Sequence, residues 1–195
     1  MRELVLGVGL NDSNDIVQGC RYYARWNAML RRCYSEKITL RHTTYQGCSV
    51  CDEWLLFSNF KSWMEQQDWK GKELDKDLLV YKNKVYSPET CVYLEPHINN
   101  FMLKSNSIRG SYPLGVTYHK RLLKYQTKMA DNGPRKHLGT YKTAEEAHKA
   151  WQKAKIERAY FLKDKQTDPR VVKGLQRVID KIQYDLDNNL ITEDF

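Results

Sequence analysis

Residues 74–100, LDKDLLVYKNKVYSPETCVYLEPHINN, bring together the side chains of this chain best suited to chemistry: Asp75, Lys76 and Asp77 in a row, then His97, Asn99 and Asn100. If residues 75–77 are extended, period-two alternation sends Asp75 and Asp77 to one side and Lys76 to the other. Two carboxylates beside a helix bearing two amides offer all-oxygen ligation, which suits a hard divalent ion such as Mg²⁺ or Mn²⁺.

The elements that must position these groups follow from local physics. Val80, Val85, Tyr86, Val92, Tyr93 and Leu94 are β-branched, aromatic or bulky, and Asn83 lies between two short apolar runs, so the segment reads as a hairpin. Pro96 suits a helix start, where a missing N–H costs least, and HINNFML supplies the helix, with Ile98 and Met102 on one face.

At these residues the segment resembles the HNH nucleases, whose ββα-metal fold carries a metal ligand and a general base side by side on its first strand. The resemblance is clearest at PETCVYLEPHINN, which is similar to the second strand and helix of the homing-endonuclease branch found in phages. It implies metal ligands at Asp75 and Asn99, and DNA phosphodiester hydrolysis as the reaction. Lys76 falls where the family has its water-activating histidine, and Thr90 where it has its structural asparagine. An imidazole near pKa 6.5 takes a proton at neutral pH, whereas an ordinary lysine near 10.4 is already protonated. Lys76 is therefore the base only if burial or a nearby metal lowers its pKa. Otherwise Asp77 or His97 takes the proton, or Lys76 holds phosphate as a cation.

A second signal spans residues 114–151. Asp131, Asn132, Gly133 and Pro134 separate the strand-like KYQTKMA and RKHLGTY, and Thr143 with Glu146 three residues on predicts a capping box. Ala147, Ala150, Trp151 and Ala154 then recur at the spacing of a helix packed on a sheet. GVTYHKR, KYQTKM, LGTY and TAEEAHKAW resemble the APETALA/ethylene-response DNA-binding domain, a three-stranded sheet on one helix that reads the major groove. The resemblance implies DNA contacts at Thr117, His119, Arg121, Lys124, Tyr125, Gln126, Lys128, Arg135 and His137; Tyr125 stands where the family has a tryptophan.

Charge gives independent support. Residues 108–165 hold fourteen Lys and Arg against five Asp and Glu, a surplus of nine in a chain of net charge +8. Positive charge confined to one segment suits phosphate binding by counterion release.

The remaining sequence sets the frame. RYYARWNAMLRRCY reads as a helix with Tyr22, Trp26, Met29, Leu30 and Cys33 on its apolar stripe, and EWLLFSNFKSWMEQQDW as a second with Trp54, Phe57, Phe60, Trp63 and Met64. Both stripes read as core. Pro169 opens a third helix, with Val171, Leu175, Val178, Ile179, Ile182 and Leu186 on one face, which covers the basic module or pairs with another copy. Residues 105–111, SNSIRGS, read as a linker. Of the five cysteines, Cys48 and Cys51 form a single CxxC. A zinc site needs four ligands, so Cys33, Cys91 or His42 would have to complete it, and buried thiols are the preferred reading over structural zinc. No apolar run approaches the length of a membrane span and no secretory pattern opens the chain.

The expectation is an α+β protein of 195 residues. A helical N-terminal part leads into a ββα-metal nuclease element (1–107), followed by a three-stranded sheet plus helix that binds double-stranded DNA (108–165) and a C-terminal helix (166–195). It would use one Mg²⁺ or Mn²⁺ ion and act as a monomer or homodimer without a membrane partner, in the cytoplasm (the host's, if phage-encoded). The alternative is a non-catalytic DNA-binding protein derived from such a nuclease. A zinc-stabilised RNA or protein adaptor is a more distant reading.

Overall fold

The computed structural model describes residues 3–14, 17–103, 110–130 and 135–195; the expected linker and the expected turn at 131–134 lie mostly or wholly outside them. The chain is mixed α+β and divides into two compact units, Met1–Glu95 and Pro96–Phe195.

The first unit opens with a hairpin, β1 (Leu4–Val5) against β2 (Gly9–Leu10), turned through Leu6 and Gly7 at positive φ. Gly9 lies so close to α1 that a Cβ there would collide with Leu30 and Trp26. Helix α1 (Arg21–Tyr34) spans the expected residues and buries Trp26, Met29, Leu30 and Cys33. A short α2 (Glu36–Arg41) follows.

The second expected helix is broken. It forms α3 (Asp52–Leu55) and α4 (Phe57–Glu65), because Leu56 is extended and bridges to Leu10. Both aromatic stripes are core as expected: Trp26, Trp54, Phe57, Phe60 and Met64 are almost completely buried. The indole N–H of Trp26 donates to Trp54 O at 2.7 Å, which satisfies its one buried polar atom.

The expected hairpin through Asn83 does not form. Strand β4 (Glu73–Asp75) pairs antiparallel with β6 (Val92–Leu94), in the register Glu73↔Leu94, Leu74↔Tyr93 and Asp75↔Val92. Between them β5 (Val85–Tyr86) leaves to pair in parallel with β3 (Ser49–Val50), so Val80 lies in a loop. The physical reason is burial: Tyr86 is drawn into the aromatic core beside Val50, where a local hairpin would leave it on the surface.

The second unit begins with α5 (Pro96–Met102). A meander follows, β7 (Val116–His119), β8 (Lys124–Ala130) and β9 (Arg135–Tyr141), all antiparallel. Helix α6 (Ala144–Lys163) packs on this sheet, and α7 (Pro169–Asp187) packs along α6. The capping box forms, with Thr143 Oγ1 accepting from Glu146 N at 3.1 Å and Glu146 accepting from Thr143 N at 3.2 Å. Gly115, at positive φ, lets the Trp151 ring lie directly on the backbone. Buried His148 ties both ends of the unit together: its Nδ1 meets Leu114 O at 2.9 Å and its Nε2 accepts from Thr192 N at 2.9 Å.

Candidate functional site

Asp75 is the last residue of β4 and is buried, whereas the Asp77 side chain is more than half exposed. The two carboxylates therefore do not share a strand face, contrary to the alternation expected of an extended DKD. The chain bends directly after β4, and Asp75 Oδ1 accepts from Asp77 N at 2.9 Å and from Leu78 N at 2.8 Å. An Asx turn of this kind ends a strand locally. Burial pushes the Asp75 carboxyl above its ordinary pKa, opposed by those two main-chain donors.

Lys76 is 4% exposed, and its ammonium is committed to protein acceptors: Asp77 Oδ1 at 2.5 Å and Asn83 O at 3.1 Å, with the Tyr86 ring centroid at 5.9 Å. Asn83 closes the loop, its Nδ2 donating to Lys76 O at 2.8 Å and Val85 O at 2.7 Å while its Oδ1 accepts from Val85 N at 3.0 Å. Thr90 closes the next turn by donating to Val85 O at 2.7 Å and accepting from Ser87 N at 3.2 Å. The sequence marks Asn83 as a turn residue, but not as the side chain that ties both ends of the loop.

Asp75 keeps Oδ2 without a protein donor among the described residues, in a setting that disfavours an unpaired charge. No cluster of three or more His, Cys, Asp or Glu side chains is present among the described residues. The expected pair of one carboxylate and one amide is a sparser set, of the kind that leaves most of the coordination of Mg²⁺ to water and phosphate. Asn99 and His97 lie on α5, in the second unit, and both are half-buried. That helix is anchored at its far end. The Lys155 ammonium, buried, donates to Phe101 O and lies 3.7 Å from the Phe101 ring centroid and 4.8 Å from that of Phe195. A cation on the carbonyls of a helix C-terminus is favoured by the helix dipole.

On the three-stranded sheet, register sorts the expected DNA contacts. Thr117 pairs with Gln126 and Gln126 with Thr140, while His119 pairs with Lys124 and Lys128 with His137. Thr117, Lys124, Lys128, His137 and Thr140 are exposed and His119 and Gln126 half-exposed, so one polar, basic face runs across all three strands. Tyr125 is the exception: it belongs to the opposite face, its ring centroid 5.2 Å from that of Tyr118 and 5.6 Å from that of Tyr112. On that same face Val116 and Thr127 are fully buried. Arg121 lies in the exposed β7–β8 turn, and Arg135 opens β9 with its side chain outside the described residues. Thr140, opposite Gln126, lies on this face too, where the register shift at Thr127 and Lys128 leaves it no simple strand parity with His137.

No family model, curated protein or solved structure matches this chain.

The thiols of Cys33 and Cys91 are buried near these residues, Cys91 Sγ lying 4.0 Å from Thr90 Oγ1. Burial pushes Cys33 and Cys91 up to about 12 and Cys51 to about 11, so all three are protonated at neutral pH. No helix among the described residues is long and apolar enough to cross a membrane.

Proposed function

We propose that this protein is a metal-dependent DNA endonuclease of the HNH type, with a sheet-based DNA-binding unit. The observation that carries the reading is Asp75: a buried carboxylate at the exit of β4, one oxygen fixed by the main chain and the other without a donor among the described residues, in a strand–loop–strand unit followed in sequence by α5 with Asn99. A divalent ion held by Asp75 would stabilise charge on the scissile phosphate and the leaving oxygen, and the HNH resemblance adds Asn99 as a second ligand. Asp77 or His97 takes the proton of the attacking water. The contact of the Lys76 ammonium with Asp77 supports a role in orientation over one in proton abstraction. The basic face of Lys124, Lys128, Gln126 and Thr117 holds duplex DNA, the lysines on phosphate and the amide on base edges.

The commitment of Lys76 to Asp77 and Asn83 also favours a second reading, a non-catalytic DNA-binding protein of the same build. Supercoiled plasmid incubated with the protein, with Mg²⁺ or Mn²⁺ and with chelator, separates the two. Metal-dependent relaxation or linearisation supports the nuclease; binding with no cleavage under any ion supports the second reading.

A further inference from the structure

The β7–β8 turn is built against its own local physics. His119 pairs with Lys124, and Leu122 N donates to His119 O at 3.1 Å and meets His119 Nδ1 at 3.2 Å, which makes Lys120 and Arg121 the centre of a tight turn. Leu123 must then adopt φ 48°, the left-handed conformation that glycine and asparagine tolerate and a bulky side chain does not. Neither leucine is repaid by burial: Leu122 is 50% and Leu123 74% exposed. Two apolar side chains thus project from a pinned tip whose flanking residues, Lys120, Arg121 and Lys124, are all exposed and basic. Leu6, at the β1–β2 turn, shares the positive φ, but its hairpin carries Glu3 and no basic residue.

We propose that Leu122 and Leu123 form a wedge that enters a base-pair step of duplex DNA, unstacking and bending it, while Lys120, Arg121 and Lys124 hold the adjoining phosphates. This rests on the DNA-binding reading above and extends it to distortion of the substrate. Apolar side chains inserted between base pairs kink duplexes in this way, and pyrimidine–purine steps yield most easily. Charge decides the partner: a polyanion satisfies the basic rim while its stacked bases accept the apolar tip.

The test uses the full chain and its double variant L122S/L123G. Glycine at position 123 relieves the backbone strain, so the variant should melt no lower than the wild type, which separates loss of contact from loss of fold. The probe is a linear duplex carrying TA steps, with 2-aminopurine at those steps and a fluorescence-transfer pair on its ends. Wild type should raise both signals; L122S/L123G should lose both while keeping salt-dependent binding, and L122M/L123M should restore them. Equal bending by L122S/L123G, or wild-type binding without bending or unstacking, overturns the wedge and leaves the DNA reading intact. Failure of the wild type to bind duplex at any salt overturns the DNA reading itself. Capture by phosphatidylserine vesicles that is lost in L122S/L123G, with DNA bending and unstacking unchanged, overturns the wedge in favour of a lipid contact.

Discussion

Lys76 and Asn83 clamp one another from opposite ends of one loop: the lysine ammonium donates to Asn83 O at 3.1 Å, and the asparagine amide donates to Lys76 O at 2.8 Å. The backbone after Asp75 is therefore held by side chains rather than by strand pairing.

Breaking the clamp should be costly. Asn83→Ala removes a donor from Lys76 O and one of the two from Val85 O, which keeps Thr90, and is expected to lower stability by about 1 kcal/mol in urea denaturation. Plasmid cleavage should fall with it, because the same loop carries Asp77. An Asn83→Ala protein as stable and active as wild type would show that the clamp positions nothing.

Lys76 itself gives a separable outcome. If its ammonium only orients Asp77, Lys76→Arg keeps much of the cleavage rate and Lys76→Met loses most of it. If it takes the proton, Lys76→Arg is nearly inactive, since guanidinium does not deprotonate. Initial nicking rates at matched DNA occupancy decide between them.

Asp75→Asn is a cleaner metal-site variant than alanine, because an amide oxygen can still accept from Asp77 N and Leu78 N while the charge is gone. It should abolish cleavage and leave DNA binding and melting temperature nearly unchanged. Wild-type cleavage by Asp75→Asn would remove Asp75 from the site.

On the sheet, Lys124→Ala and Lys128→Ala should weaken all duplexes alike, each reducing the salt dependence of binding by about one phosphate contact. Gln126→Ala should instead cost about 1–3 kcal/mol at particular base pairs. Tyr125→Phe should change neither, because Tyr125 faces Tyr112 and Tyr118 rather than the exposed side. Salt-titrated anisotropy on a panel of duplexes measures all four.

Asp168 caps α7, accepting from Arg170 N at 2.8 Å and pairing with the Arg170 guanidinium at 2.9 Å. The hydrogen bond to the Arg170 side chain holds its carboxyl below the ordinary value of 3.8. A carboxyl lowered in the folded state stabilises fully above its unfolded pKa and loses that contribution as pH falls through the folded value. Asp168→Ala should therefore cost about 0.5–1 kcal/mol at neutral pH, mostly as the lost cap, since solvent screens so exposed an ion pair. The gap from wild type should narrow as pH falls below 3.8. Urea denaturation across that range checks the sign.

What the sequence determined by itself was local. Helix α1 follows from apolar spacing over residues 21–34, the start of α6 from the Thr143–Glu146 box, and the start of α7 from Asp168 and Pro169, each written in the contiguous residues of the element itself. The sheet of the second unit was legible for the same reason: its strands follow one another in sequence and pair in that order. Tertiary structure decided the rest. Leu56 broke an otherwise helical run because Leu10 offered a bridge, and Val85–Tyr86 left the Asn83 hairpin because β3 and the aromatic core buried Tyr86 better. Asp75 and Asp77 parted because β4 ended where its partner β6 began, and the chain then turned on the side chain of Asp75 itself. Strand pairing and burial are rewarded by residues far away in sequence, and a local pattern carries no record of which distant partner wins.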